Sequence, residues 1–172
     1  MSEKNENLIA IKNARCVYPS LFETETFNGE DTGKYGITLI LDKEKHAEPI
    51  AKIQAEIDRR VAELKVKKLG DDKVCLKDGD ETEIDYYQGR YTIKATNKKA
   101  PKVYNEDKMR IGEDDQQEIY GGCFVDAVID LWTQNNSWGK RVNANIYLVR
   151  KVGDGEPIGG VNVDIDSFDD LL

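Results

Sequence analysis

Two stretches toward the carboxyl end, FVDAVIDLW (124–132) and RVNANIYLV (141–149), alternate apolar and polar residues with a period of two. That is the side-chain repeat of a strand with one face on a core and the other in water. The TQNNSWGK segment between them is turn-forming, so the pair reads as an antiparallel hairpin. Its inward rows are Val125, Ala127, Ile129 and Leu131 on the first strand, and Val142, Ala144, Ile146 and Leu148 on the second. Trp132 then falls among the acids of the opposite face, while Arg141, Asn143, Asn145 and Tyr147 point outward. A lone hairpin is marginal in water, so other elements must cover the apolar rows.

Candidates for that cover lie upstream. Residues 8–18 (LIAIKNARCVY) are rich in branched side chains and stop at Pro19. In residues 33–41 (GKYGITLIL), Tyr35, Ile37, Leu39 and Leu41 share one face, and Lys34, Thr38 and Ile40 the other. Residues 89–96 (GRYTIKAT) turn Tyr91, Ile93 and Ala95 inward and Arg90, Thr92, Lys94 and Thr96 outward. Ile50, Ile53, Ile57, Val61 and Leu64 recur at helical spacing, with Pro49 suited to a first turn and Gly70 to a stop, which predicts one helix over residues 43–69. The pattern is mainly β with one long helix: a small closed or partly open barrel, a helix packed against it, and one core for 172 residues. Residues 1–160 are read as the domain. Residues 161–172, with Asp164, Asp166, Asp169 and Asp170, no base and few apolar residues, are read as an acidic tail unable to fold alone.

The net charge of -8 argues at first against a nucleic-acid partner, but it is segregated. Residues 88–110 carry seven bases against Glu106 and Asp107; residues 138–151 carry Lys140, Arg141, Arg150 and Lys151 with no acid. A basic surface can coexist with an acidic tail. Aromatics are interleaved with the bases. Arg90, Tyr91, Lys94, Lys98, Lys99, Lys102 and Tyr104 form one run, and Trp132, Trp138, Lys140, Arg141 and Tyr147 another. Single-stranded nucleic acid needs this mixture, because cations follow phosphates while flat rings stack on unpaired bases. Tyr35 and Tyr91 sit on apolar rows and read as core. For Trp132, Trp138 and Tyr147, stacking and incidental exposure both stay open. The candidate contacts are Lys34, Arg90, Lys94, Lys98, Lys99, Lys102, Tyr104, Trp132, Trp138, Lys140, Arg141 and Tyr147.

Catalytic signatures are sparse. His46, the one histidine, sits among charged residues at a helix start and reads as a surface group, which leaves histidine-based nucleophilic schemes little to work with. No phosphate-binding glycine loop occurs, and the glycines of residues 153–160 read as a plain loop. The carboxylates of residues 112–118 lack regular ligand spacing and read as a solvated loop, with a divalent-ion nuclease as the competing reading. Cys16, Cys75 and Cys123 are far apart and form no C-x-x-C pair, so buried thiols are expected rather than disulfides or zinc. No cofactor and no metal are expected. No apolar run spans a membrane and the amino terminus has no leader character, which makes the cytoplasm the default compartment.

Several segments taken in order carry a resemblance: ARCVYPSLF, GKYGITLIL, EIYGGCFVDAVIDLW, and NSWGKRVNANIYLVRKVGDGEPIGG followed by the acidic end. With Tyr120-Gly121-Gly122, Trp138-Gly139-Lys140 and Asp154-Gly155-Glu156, the chain from about residue 8 onward resembles a family of tailed-phage single-stranded DNA-binding proteins, long catalogued as a domain of unknown function. The resemblance implies a five-stranded OB-fold barrel that binds single strands without sequence preference in phage replication, recombination or repair. It also implies a flexible acidic carboxyl terminus (Asp164, Asp166, Phe168, Asp169, Asp170) that recruits replication or recombination proteins. Functional relatives end such tails in an aromatic residue, whereas here Phe168 is followed by Asp169-Asp170-Leu171-Leu172. The expected protein is a non-enzymatic strand protector, working in the host cytoplasm if phage-encoded, with a homodimer left open. The competing readings are an interaction adaptor on the same barrel and a metal-dependent nuclease.

Overall fold

The alternating stretches are strands, and five of them close into a ring. A computed structural model describes residues 7–137 and 139–158. In chain order the elements are β1 (Ile9–Ser20), β2 (Thr26–Phe27), β3 (Glu30–Asp31), β4 (Tyr35–Asp42), α1 (Ala47–Glu63), β5 (Leu76–Asp78), β6 (Arg90–Asn97), β7 (Lys102–Tyr104), β8 (Phe124–Asn136) and β9 (Gly139–Gly153). β4 pairs antiparallel with β1 and β6, β1 with β8, and β8 with β9. A parallel contact, Ala95 opposite Ala144 and Thr96 opposite Asn145, joins β6 to β9 and completes the barrel. This is the five-stranded OB architecture. β5 extends the sheet along β6, β7 runs parallel to β9, and β2 and β3 form a separate ribbon between β1 and β4.

The interior is the union of the inward rows, with Ile11, Ile37, Leu39, Leu41, Ile93, Val125, Ile129, Val142 and Ile146 fully buried. α1 lays Ile50 and Ile53 on this core, with Ile57 and Val61 beside them, against β1, β8 and β9. It is shorter than the apolar spacing predicts. The Asp42 carboxylate accepts the Glu44 and Lys45 N–H groups, which makes a turn first, and Lys65 adopts a left-handed φ of 58° that ends the helix well before Gly70. Leu64, Val66 and Leu69 still reach the core, so apolar spacing outlasts the helix.

Four further details depart from the sequence reading. β1 runs past Pro19 because its pairing with β4 breaks between Val17 and Ser20, where Tyr18 takes a φ of 53° and the ladder loses nothing to proline. Ile40, on the outer face of β4, is buried with Val17 under Tyr87, as a corner of the segment before β6 folds over the barrel wall. His46 is buried rather than on the surface: Nδ1 accepts the Asp42 N–H at 2.9 Å and Nε2 faces the Lys12 carbonyl at 3.0 Å, clipping α1 to β1. Lastly, β9 carries an extra residue. Val128 pairs with Leu148 but Ile129 pairs with Ile146, so Tyr147 is a bulge and the faces exchange beyond it. Leu148 therefore turns outward and Val149 takes its inward place.

The glycine motifs close the far end of the barrel. Residues 154–158 run along Gly121 and Gly122, and the Ile158 N–H donates to the Gly121 carbonyl. A Cβ on Gly122, whose φ is 111°, would strike the Glu156 carbonyl. The Tyr120 hydroxyl donates to Asp154, whose other neighbour is the Lys151 ammonium at 2.7 Å. Cys16 and Cys123 meet beneath this strap as free thiols with sulfurs 3.6 Å apart, and their hydrogen bond together with burial pushes the Cys16 thiol up.

Candidate nucleic-acid interface

Strand register decides which expected contacts share a surface. Lys94 lies opposite Thr38 of β4, and Thr96 lies opposite Asn145 of β9. Across β9, Asn143 pairs with Trp132, Asn145 with Asp130, and Arg141 with Gln134. The outer wall of β4, β6, β9 and β8 therefore presents Thr38, Lys94, Thr96, Arg141, Asn143, Asn145 and Trp132 together. At the junction of β5, β6 and β9 this wall sinks into a cavity of about 190 Å³ lined by Asp72, Lys73, Lys77, Lys94, Thr96, Arg141 and Asn143. Four cations face one carboxylate there.

Their partners show how far each is committed. Lys94 is paired with Glu25, from the loop between β1 and β4. Lys73 reaches Asp72 at 3.5 Å, and Arg141 donates to the Asp72 carbonyl rather than to a carboxylate. Exposed Lys77 has no ion pair among the described residues. Trp132 stands half-buried between two polar pairs: the Asn143 amide donates to Gln134, and that of Asn145 to Asp130. Tyr147, at the bulge, is 38% exposed and donates its hydroxyl to Asp130 at 2.9 Å; burial and that bond push the phenol up. A half-buried ring beside polar amides, with cations one strand away, can stack a base while phosphates run along β6 and β9.

Other expected contacts are distributed more widely. Lys98 and Lys99 are exposed in the loop after Asn97, whose amide holds the Ile146 carbonyl, so that loop starts beside the Tyr147 bulge. Half-buried Lys34 directly precedes β4. Lys140 is turned toward α1 and donates to the Leu64 carbonyl at 3.1 Å, anchoring the β8–β9 turn. Arg90 is at the opposite end of β6 from the cavity, with its guanidinium on the Tyr86 and Gln88 carbonyls. Lys102 and Tyr104 belong to β7, which lies beside the half of β9 beyond the bulge, and the Tyr104 ring lies under Arg110 at 6.0 Å. The strand and loop from Arg90 to Lys102 thus serve three surfaces, not one. Trp138 and the tail positions Asp164, Asp166, Phe168, Asp169 and Asp170 lie outside the described residues.

Sequence reasoning passed over Lys73, Lys77, Thr96 and Asn143. In residues 71–80 the two lysines are outnumbered by Asp71, Asp72, Asp78 and Asp80, so a charge count hides them. The period-two alternation of VCLKD held the one available signal, because it points Lys77 away from Val74 and Leu76. The acids of residues 113–118 form exposed 3₁₀ turns, and among the described residues no three His, Cys, Asp or Glu side chains gather as a metal site. No helix among them is long and apolar enough to cross a membrane.

Comparison with known proteins agrees with this architecture. A family model described as the ssDNA-binding protein of Enterobacter phage Enc34 matches residues 7–171. The single-stranded DNA-binding protein of bacteriophage Enc34 superposes with a TM-score of 0.80 at 33% identity, over 94% of this chain and 89% of that one. The structure of that protein in complex with ssDNA gives 0.79 at 35% identity, over 89% and 90%. A relative from Acyrthosiphon pisum secondary endosymbiont phage 1, the putative protein p50, is 29% identical over 95% of this chain and 93% of its own length. The single-stranded DNA-binding protein gp2.5 of bacteriophage T7, at 14% identity and a TM-score of 0.60 over 93% and 99%, shares the fold. By a match that runs over residues 7–171, the chain belongs to the phage Enc34 single-stranded DNA-binding protein family.

Proposed function

We propose that this protein binds single-stranded DNA without sequence preference, running phosphates past Lys73, Lys77, Lys94 and Arg141 and stacking bases on Trp132. The carrying observation is the cationic cavity at the junction of β5, β6 and β9, set on the same outer wall as that ring. A solved relative in complex with ssDNA supports the reading. Breaking the Lys94–Glu25 pair frees one more cation for a phosphate. Lys98, Lys99 and Lys34 extend the track, and Trp138, between β8 and β9 in the sequence, supplies a second ring. The protein does no chemistry on the strand in this reading. It shields single strands in phage replication, recombination or repair within the host cytoplasm. The barrel of residues 1–160 holds the strand, and residues 161–172 recruit replication or recombination proteins through Asp164, Asp166, Phe168, Asp169 and Asp170. Titration of labelled poly-dT and of a duplex, with and without magnesium, tests it. Tight binding of intact poly-dT over duplex is the expected result. Absence of binding would turn the reading to a protein-interaction adaptor, and shortened product with magnesium to a nuclease.

A further inference from the structure

At the end of β4 and β6 away from the Lys94 cavity, a second concavity of about 280 Å³ is lined by Lys12, Arg15, Lys45, Arg90, Tyr86 and Phe124, with Ile40 at its floor. Four cations converge on it from two strands and one turn: Lys12 and Arg15 from β1, Arg90 from the start of β6, and Lys45 from the turn before α1. Their positions are built. Asn13 takes a φ of 56° at a bulge in the β1–β8 ladder, and the His46 ring holds the carbonyls of Lys12 and Asn13. Arg15 donates to the Gly122 and Glu156 carbonyls, with its guanidinium 5.9 Å above the Phe124 ring. Arg90 donates to the Tyr86 and Gln88 carbonyls.

None of these four cations has a carboxylate within ion-pair distance among the described residues. Asp42, the one acid in the lining, accepts the Lys45 and Glu44 N–H groups, and those bonds, with the Lys45 and Arg90 charges behind them, hold its carboxyl below the ordinary range. Asp78 and Asp80, in the adjoining loop, both bind Lys43. Among half-buried bases elsewhere, Arg150 is matched by Asp126 and Arg60 by Glu56, whereas Arg141 has a carbonyl. Two half-buried guanidiniums fixed by carbonyls, in a lining where four cations face the single Asp42 carboxylate, leave positive charge that an anion completes.

We propose that this concavity is a second phosphate site for single-stranded DNA, one that takes the backbone of the strand beyond the Lys94 wall. The proposal rests on the DNA-binding reading above and extends it. Arg90 lies four residues from Lys94 along β6, about 13 Å at strand rise, with the Tyr87 corner between. The Phe124 and Tyr86 edges offer a nucleotide apolar contact that a free inorganic anion would not use.

Oligonucleotide length separates the two sites. Lys12 and Lys45 are exposed and free of ion pairs among the described residues, so K12E/K45E in the full chain should fold normally, and K12A/K45A is the milder companion. For dT of about 16 nucleotides, K12E/K45E should bind roughly tenfold more weakly, with a logarithmic salt slope lower by about 1.4, and K12A/K45A should move the same way. For dT of about 4 nucleotides, short enough to sit on the Lys94 wall alone, both should match the parent. K77E/R141E should weaken both lengths. If K77E/R141E loses binding while the Lys12 and Lys45 variants keep the parental affinity and slope for the longer strand, the second site is wrong and the main reading stands. Tighter binding by K12E/K45E would also overturn it, assigning the concavity to the acidic residues of the chain itself. If K77E/R141E binds both lengths as the parent does, the Lys94 wall is the part that fails.

Discussion

Up to Tyr147, the outward residues of β9 are Arg141, Asn143 and Asn145, beside Lys94 on one flank and Trp132 on the other. Past Tyr147, the outward residues are Leu148 and Arg150, and their surroundings are Ala10, Val128 and Tyr104 around a mostly apolar cleft. In the first half Arg141 donates to a carbonyl and to no carboxylate, whereas in the second Arg150 is matched by Asp126. One strand therefore contributes to two surfaces of opposite character, and a single extra residue divides them. A continuous period of two would have put Leu148 in the core and given β9 one exterior for its whole length.

The sharpest test of that division is a charge on each side of the bulge. Val149→Asp places a carboxylate without a partner inside the barrel, at several kcal/mol, and should lower Tm by about 10 °C or more. Leu148→Asp places the same group at the cleft and should leave Tm within a few degrees. Equal losses in thermal denaturation would mean that β9 has no bulge. On the DNA side, Trp132→Ala should weaken poly-dT binding by about 1–3 kcal/mol with Tm and salt slope nearly unchanged, and Tyr104→Ala, on the far side, should do nothing. If the Trp132→Ala loss merely tracks unfolding, the ring is core and the surface is misassigned. The smallest effect is electrostatic. Charge reversal at Lys77 and at Arg141 should each lower the salt slope for single strands by about 0.7, whereas Lys102→Glu should leave it where it is. A Lys102 effect as large as that of Lys77 would join the two surfaces.

The elements that alternate cleanly were legible without coordinates. Ile37, Leu39, Leu41, Ile93, Ala95, Val125, Ala127, Ile129 and Leu131 occupy the interior where their period places them, because alternation is a local property of the extended chain. The α1 stripe was visible for a similar reason, and its ends were not, since they depend on the Asp42 carboxylate and on a left-handed Lys65. The candidate site was legible in part. Lys94, Arg141 and Trp132 were flagged as bases and rings, yet Lys73 and Lys77 lay hidden in an acidic run, and nothing local separates Lys94 from Lys102.

Composition and periodicity by themselves determined a mainly β barrel with one helix. Both are short-range constraints, set by what each residue does to its own few neighbours. Which residues share a surface was decided by barrel closure, through the parallel Ala95–Ala144 contact that brings β6 against β9. It was decided again at Tyr147, where one unpaired residue reverses the faces of everything after it. Register between strands far apart in sequence is a property of the assembled sheet. No window of the chain contains it, and for that reason the cations of Lys77, Lys94 and Arg141 meet only in three dimensions.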